Sequence, residues 1–366
     1  MVGTSPPLPI EPVAMPHTLR TLEHQIGSIP AGLVTALAQV DERKGRAQVF
    51  SRQHPAQLKT LIEIARIQST EASNEIEGIT APPARIAALV REKSTPENRS
   101  EQEIAGYRAV LDLIHSSADA IPVTNNVLLQ LHRDMYQFTP AQAGRFKTAD
   151  NVVEETLPDG TRRVRFQPLP AFRADAAMNE LNDLYAREVD RGLFHPLLLI
   201  GSYVFDFLAI HPFADGNGRM SRLLTLLLLY RRGYGVGRYI SLEKLVMDSK
   251  ETYYDALAAS TTDLHEEDHS ILPWLQYFVG IMVAAYDRFE SNAGAVTGRG
   301  SKSESIKNFI RASIRDEFSI ADVRAHVPSA SDSLIRKVLH ELRDAGAIEA
   351  QSGGRGATWR RLHRDV

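Results

Sequence analysis

His211-Pro212-Phe213-Ala214-Asp215-Gly216-Asn217-Gly218-Arg219-Met220-Ser221-Arg222 joins two apolar runs, 197–210 and 223–230. Both runs have the continuity of buried helices, so the twelve residues read as a loop that opens a helix. A helix start offers unpaired backbone N–H groups and the positive end of the helix dipole, and both favour an anion. Into that setting the loop brings a histidine, an aspartate, two glycines around an asparagine, and two arginines. His211 is a base near neutral pH by its ordinary pKa. Asp215 is an oxygen ligand of the kind Mg2+ takes alongside phosphate oxygens and water. Gly216 and Gly218 let backbone approach phosphate closely, and Asn217 can donate to a phosphate oxygen. Arg219 and Arg222, three apart on a helix, are expected to share a face and clamp a polyphosphate tail.

Each of these residues has a bland reading by itself: a His-Pro closing a helix, a Gly-Asn-Gly turn, a solvated pair of arginines. Their gathering within one loop favours phosphate chemistry. The loop lacks the lysine and hydroxyl of a Walker loop, and no H-E-x-x-H occurs. A zinc site from His195, His211 and Asp215 is a rival reading.

Outward from the loop the pattern is mostly helical. Helices are expected over 55–77, 84–92, 103–116, 124–136, 171–191, 219–232, 242–259 and 271–289. Gly78 stops the first of them, and Pro82-Pro83 follows. Segment 144–170 changes character. Val152-Val153 and Val164-Arg165-Phe166 read as two short strands around the Asp159-Gly160 turn. That hairpin is either a surface excursion or a flap beside the site. Residues 1–20 read as a proline-rich extended tail without the marks of a signal peptide, and 291–303 as a small-residue linker. Beyond it, 304–366 has the helix, helix, helix and hairpin order of a winged helix-turn-helix. Its third helix carries Ser331, Ser333, Arg336 and Lys337, and its wing Arg355, Arg360 and Arg361. These types suit DNA contacts, and equally a protein contact or dimerisation.

Composition limits the alternatives. The chain has 366 residues, 43% apolar and 24% charged, with a formal net charge of −3 and no cysteine. That is room for about two or three domains with a sizeable core. There is no bulk attraction to nucleic acid or membrane, and thiolate metal sites and cysteine nucleophiles are excluded. The missing cysteines fit a cytoplasmic protein, and no run is long enough to span a bilayer.

The twelve residues resemble the signature of the Fic family, H-P-F-x-[DE]-G-N-G-R-x-x-R, at every defined position. The similarity extends over about 59–289. It implies a mainly α fold: an N-terminal helical region (21–105) with an inhibitory helix, then a catalytic core with helical extension (106–290) and the flap (144–170). It also implies transfer of AMP from ATP to a Ser, Thr or Tyr hydroxyl of a target protein, releasing diphosphate. By position, His211 would deprotonate the hydroxyl and Asp215 would hold Mg2+. Gly216, Asn217 and Gly218 would cradle phosphate, and Arg219 and Arg222 would hold the β- and γ-phosphates. Tyr253, Tyr254 and Leu257 match adenine-pocket positions, while Thr261 stands where an asparagine is often found. The phosphorylating Doc-like branch lacks the cradle glycines, so this loop favours AMP transfer.

Ser73-Asn74-Glu75-Ile76-Glu77-Gly78 resembles the family's inhibitory motif, [ST]-x-x-x-E-[GN]. The resemblance implies that Glu77 pairs with Arg222 and keeps the γ-phosphate out. A strand edge around Val152, Val153, Val164 and Phe166 would dock an extended target. Other readings are a DNA-binding regulator with a nucleotide-sensing, non-catalytic core, a de-AMPylase using Glu77, and a different diphosphate donor such as UTP or CDP-choline. Apolar N-terminal helices leave a homodimer open.

Overall fold

Two consecutive apolar helices set the centre of the molecule. In the computed structural model, residues 17–27, 29–91, 94–156, 161–264, 268–296, 302–312, 317–327, 330–351 and 358–362 are described. Helix α8 (Pro196–Ile210) has proline in its first turn, where a missing N–H costs nothing, and is buried along almost its whole length. Helix α9 (Asn217–Arg231) packs against it through leucines on nearly every side. Helices apolar all round must lie inside, and the other helices enclose these two.

The enclosing helices are amphipathic. On the N-terminal side lie α1 (Thr18–Gln25), α2 (Ala31–Gln53), α3 (Pro55–Ile76), α4 (Pro83–Arg91), α5 (Arg99–Ser117) and α6 (Asn125–Met135). After the hairpin β1 (Val153–Thr156) and β2 (Arg162–Phe166) comes α7 (Ala174–Arg191) against α8. Helices α10 (Leu242–Asp248), α11 (Lys250–Thr261) and α12 (Leu272–Val296) complete the shell. Trp274 of α12 donates its indole N–H to the Gly201 carbonyl (2.8 Å), tying the shell to the centre. Asn98, Thr124 and Ser241 cap α5, α6 and α10 with side-chain oxygens.

A second hydrophobic core lies beyond α12. Helices α13 (Lys302–Ala312), α14 (Ile320–His326) and α15 (Asp332–Asp344) pack Ile306, Ile310, Val323, Ile335 and Leu339 against Phe318 and Trp359. Strands β3 (Glu317–Ser319), β4 (Ile348–Ala350) and β5 (Thr358–Arg361) form an antiparallel sheet in the order β3-β5-β4. Ser319 and Asp322 close a capping box at α14. Strand β3, between α13 and α14, was not among the elements expected of 304–366, and Gly353 to Gly356 lie outside the described residues.

Some boundaries depart from the sequence reading. The tail expected over 1–20 already turns helical at Thr18, because Asp206 accepts from the Thr18 and Leu19 amides (3.0 and 3.4 Å). Helix α2 lies in the region 21–105 expected to be helical, but periodicity does not mark its bounds. It buries only Leu33, Leu37 and Val40, too thin a stripe to stand out. The expected helix 242–259 breaks at Ser249, whose side chain turns back onto the Leu245 carbonyl (2.8 Å). The linker expected from 291 is helical to Val296, since Ala293 is buried in the core. Helix α13 starts at Lys302, and Glu317 belongs to a strand. The Asp159-Gly160 tip of the hairpin lies outside the described residues. No helix among the described residues is long and apolar enough to cross a membrane.

Candidate active site

The loop is held by bonds that its own residues supply. Helix α8 ends at His211 in the left-handed region (φ 51°), and its N–H still reaches the Phe207 carbonyl (3.0 Å). A non-glycine there costs of order 1 kcal/mol, which the surroundings must offset. They do so through Asn217, whose amide accepts from Phe213 N–H (2.9 Å) and donates to the Phe213 carbonyl (2.8 Å). The Asn217 side chain is therefore spent inside the loop and does not reach out to phosphate as expected. Phe213 is fully buried and stacks on His132 (centroids 3.8 Å apart). His132 Nδ1 accepts from Gly144 N–H (3.0 Å), so Nε2–H donates to the Asp215 carbonyl (3.1 Å). Burial pushes the His132 pKa down to about 4, keeping that tautomer neutral.

The far side of the loop is braced from the segment before the hairpin. Lys147 donates its backbone N–H to Pro212 (2.8 Å) and its ammonium to the Ile210 carbonyl (3.2 Å) and Asn151 (2.8 Å). Asn151 in turn donates to the Phe213 carbonyl (3.0 Å). Burial lowers the Lys147 pKa to about 8. None of Lys147, Asn151 and His132 was singled out in the sequence, because their partners are backbone atoms 60 and more residues away.

The braced loop forms one wall of a cavity of about 680 Å³. His211, Asp215, Gly216, Asn217, Gly218 and Arg222 line it. Glu77 faces them, Tyr253, Tyr254, Leu257 and Thr261 come from α11, and Val152, Val153 and Phe166 from the hairpin. His211 Nδ1–H points at the Leu208 carbonyl (3.3 Å), leaving Nε2 with its lone pair. Burial, helped by Lys147, lowers the His211 pKa to about 4, so the ring is neutral well below the pH its free value would suggest. The exposed Asp215 carboxylate accepts from Gly216 N–H (2.7 Å) and Tyr136 O–H (2.9 Å). Gly216 has φ 80°, and a Cβ there would come within 2.8 Å of Met135 and Tyr136. The first-turn amides of α9 have no acceptor within the helix. His195 bonds to Asp41 (3.0 Å) elsewhere, and among the described residues no group of metal-binding side chains assembles, so the zinc reading falls.

Residues 122–229 match the model of the Fic/DOC family. The chain carries a Fic domain. Over 207 residues it is 28% identical to a protein adenylyltransferase Fic of Nematostella vectensis, covering 54% of this chain and 45% of that protein. A protein of the same name from Culex quinquefasciatus is 29% identical over 187 residues, 49% of this chain and 35% of its own. The chain thus spans less than half the length of these curated relatives. A Fic family protein from Desulfovibrio desulfuricans has the same fold (TM-score 0.60, 23% identity), covering 92% of this chain and 97% of that one. Fic-1 from C. elegans gives a TM-score of 0.58 at 19% identity, covering 77% of each chain.

Around the Fic domain, α3 presents its last turn to the loop. Arg222 donates to Ser73 Oγ, the Ser73 carbonyl and Glu77 Oε1, at 2.8, 2.8 and 2.7 Å. A Cβ at position 218 would drive into that same Glu77 oxygen, so glycine is required for the contact as it stands. Ser73 itself lies behind Arg222, outside the cavity lining.

Arg219 departs from expectation. It is almost fully buried, paired with Glu103 of α5 (2.8 Å) and bonded to Tyr136 O–H (2.7 Å), and it is not in the cavity lining of the Fic domain. Three residues along a helix rotate a side chain enough to change neighbours, and α5 lies on Arg219's side. Val164 likewise faces solvent, outside the lining, whereas Arg165 enters the cavity. The register shows why: Val153 pairs with Phe166 but Glu154 with Val164, so Arg165 is the extra residue of a bulge. Its guanidinium lies 4.2 Å from the centroid of the Tyr254 ring.

Proposed function

We propose that this chain is a protein adenylyltransferase, moving AMP from ATP to a Ser, Thr or Tyr hydroxyl of a target protein and of itself, and that Glu77 restrains it. The observation that carries the reading is one cavity in which an open histidine Nε2, the start of α9 and an arginine already held by a carboxylate converge. His211 Nε2 takes the hydroxyl proton, the hydroxyl oxygen bonds to the α-phosphorus, and the bond to the β-phosphate oxygen breaks, releasing diphosphate. Gly216, Asn217 and Gly218 offer their backbone to the phosphates, Arg222 offers its guanidinium to the γ-phosphate, and Arg219 supports the loop from behind. Asp215 suits Mg2+, since its carboxylate is exposed and lines the cavity, as fits an ion that takes its other ligands from phosphate and water. Bound there, Mg2+ would neutralise charge on the phosphates.

The bases of donors would meet Tyr253, Tyr254, Leu257 and Thr261, and the edge of β1 and β2 would seat an extended target strand. Glu77 occupies Arg222, so ATP would bind with its γ-phosphate displaced. The test is transfer from α-labelled ATP by wild type, Glu77→Gly and His211→Ala. Labelling should rise in Glu77→Gly and vanish in His211→Ala; equal labelling of all three would overturn the reading. A donor panel including UTP and CDP-choline tests the base. For 304–366 we infer a winged helix-turn-helix. Its exposed Ser331, Ser333, Arg336 and Lys337 remain available for contacts, whereas Arg360 is taken by Glu317 (3.0 Å).

A further inference from the structure

We propose that Lys250 is a positioning residue for the restraint: it holds the end of α3 and thereby keeps Glu77 against Arg222. The inference rests on the reading of Glu77 given above. Lys250 is the first residue of α11, and it lines the same cavity as Glu77 and Arg222. Its ammonium donates to the Ile76 carbonyl (3.2 Å), the last residue of α3 and the one before Glu77. The last carbonyls of a helix lack intrahelical partners, and a cation there also meets the negative end of the helix dipole.

The body of α3 is fastened separately. Ser69 donates to the buried carboxylate of Glu243 (2.7 Å), its oxygen lies 3.0 Å from the Ser241 hydroxyl, and Tyr107 donates to the other Glu243 oxygen (3.0 Å). Ser73 is gripped by Arg222 through both its side chain and its carbonyl. Beyond Ile76 the chain leaves the helix at Glu77 and turns at Gly78, with φ 76°. The body of α3 is therefore pinned by buried polar bonds up to Ser73, and past Ile76 the chain leaves the helix. Lys250 sits at that boundary. It joins the carbonyl of the residue before Glu77 to the helix that carries Tyr253 and Tyr254, so the end of α3 and the start of α11 are tied through this ammonium.

The experiment compares wild type, Lys250→Ala, Lys250→Arg, Glu77→Gly and the Lys250→Ala/Glu77→Gly double variant. Each is measured for label transfer from α-labelled ATP and for amide hydrogen exchange over 74–79. Loss of a charged hydrogen bond at a half-buried site should raise transfer about 3- to 10-fold in Lys250→Ala and hardly change it in the Glu77→Gly background. Exchange over 74–79 should quicken by a similar factor in Lys250→Ala, stay unchanged over 61–69, and return to the wild-type rate in Lys250→Arg. Unchanged exchange over 74–79 would overturn the inference. So would an equal drop in transfer in both backgrounds, which would make Lys250 a donor-binding residue instead. Failure of Glu77→Gly to transfer label would overturn the adenylyltransferase reading, while the exchange measurement would still decide whether Lys250 holds the turn.

Discussion

Arg219 and Arg222 stand one turn apart on α9, and both are nearly buried, yet their surroundings differ in kind. Arg219 faces α5 and is closed in by Tyr136 and by Glu103, a buried carboxylate whose other oxygen meets the exposed Arg99. Arg222 faces the end of α3, and its carboxylate partner Glu77 is still about a third exposed (34%). A pair sealed from water on both sides cannot change partners without stranding a charge. A pair with one partner at a cavity wall can exchange it for another anion. The comparison separates two uses of the same side chain within one motif: Arg219 builds the loop, and Arg222 is the one that can switch.

The comparison breaks first on stability. Arg219→Ala should leave the buried Glu103 with only the exposed Arg99 as partner and cost about 3–5 kcal/mol in urea unfolding. Arg219→Lys should recover little, because an ammonium cannot reproduce the fork that reaches both Glu103 and Tyr136. Arg222→Ala should cost less, about 2–3 kcal/mol, since it leaves the buried Ser73 hydroxyl and carbonyl without their partner while Glu77 can turn to water, and binding of ATP is lost. If both variants unfold alike, the two arginines have one job, and the distinction drawn here is wrong.

The second prediction concerns the exchangeable side. Removing Glu77 frees Arg222 of one charge-assisted hydrogen bond, so Glu77→Gly should raise label transfer about 10- to 100-fold. Its effect on unfolding should stay within about 1 kcal/mol, as the lost pair is partly exposed. A large loss of stability without a gain in transfer would make the contact a structural brace like that of Arg219.

These two arginines also mark where the sequence is legible. The loop, the Ser73 to Gly78 turn and the α11 tyrosines could be read because each is a local pattern, and the cavity brings them together. The assignment of Arg219 to phosphate failed because its fate is decided by Glu103, 116 residues earlier in the chain, and nothing in the local spacing announces that α5 lies across it. Lys147, Asn151 and His132 were invisible for the same reason, as they bond mainly to backbone carbonyls and amides. The bulge at Arg165 is legible only in the pairing of the strands: alternation alone puts Val164 and Phe166 on one face and says nothing of the irregularity that turns Arg165 inward. Helices read well where they are apolar all round, as α8 and α9 are, and badly where a thin stripe suffices, as in α2.

The third prediction sharpens the base. With its pKa lowered to about 4 by burial, His211 stays neutral at pH 5, where a free histidine would be mostly protonated. In the Glu77→Gly background the acid limb of kcat should therefore begin near pH 4 rather than near 6.5, falling about tenfold per pH unit below it. Stability carries the opposite side of the same linkage. Burial lowers His17, His132 and His211 each to about 4. Below pH 6.5 the unfolded chain binds protons that the folded chain refuses, so the stability these groups contribute is fully present above 6.5 and erodes as pH falls toward 4. An acid limb near 6.5 would mean that the ring is solvated during the proposed transfer.

The smallest expected effect returns to the cavity's other wall. Arg165 stacks on Tyr254 across the space between the hairpin and α11, so it links the edge proposed to seat the target with the pocket proposed to seat the base. A cation over an aromatic ring at a partly exposed site is worth about 0.5–1 kcal/mol. Arg165→Ala should accordingly raise KM for ATP about 2- to 5-fold and leave kcat nearly unchanged, as expected of a contact that acts on binding alone. Arg165→Lys should recover part of the loss. An equal change in kcat would place Arg165 with the residues that act on the phosphates, and the division between an arginine that shapes the cavity and one that handles charge would then run through the hairpin as well as through α9.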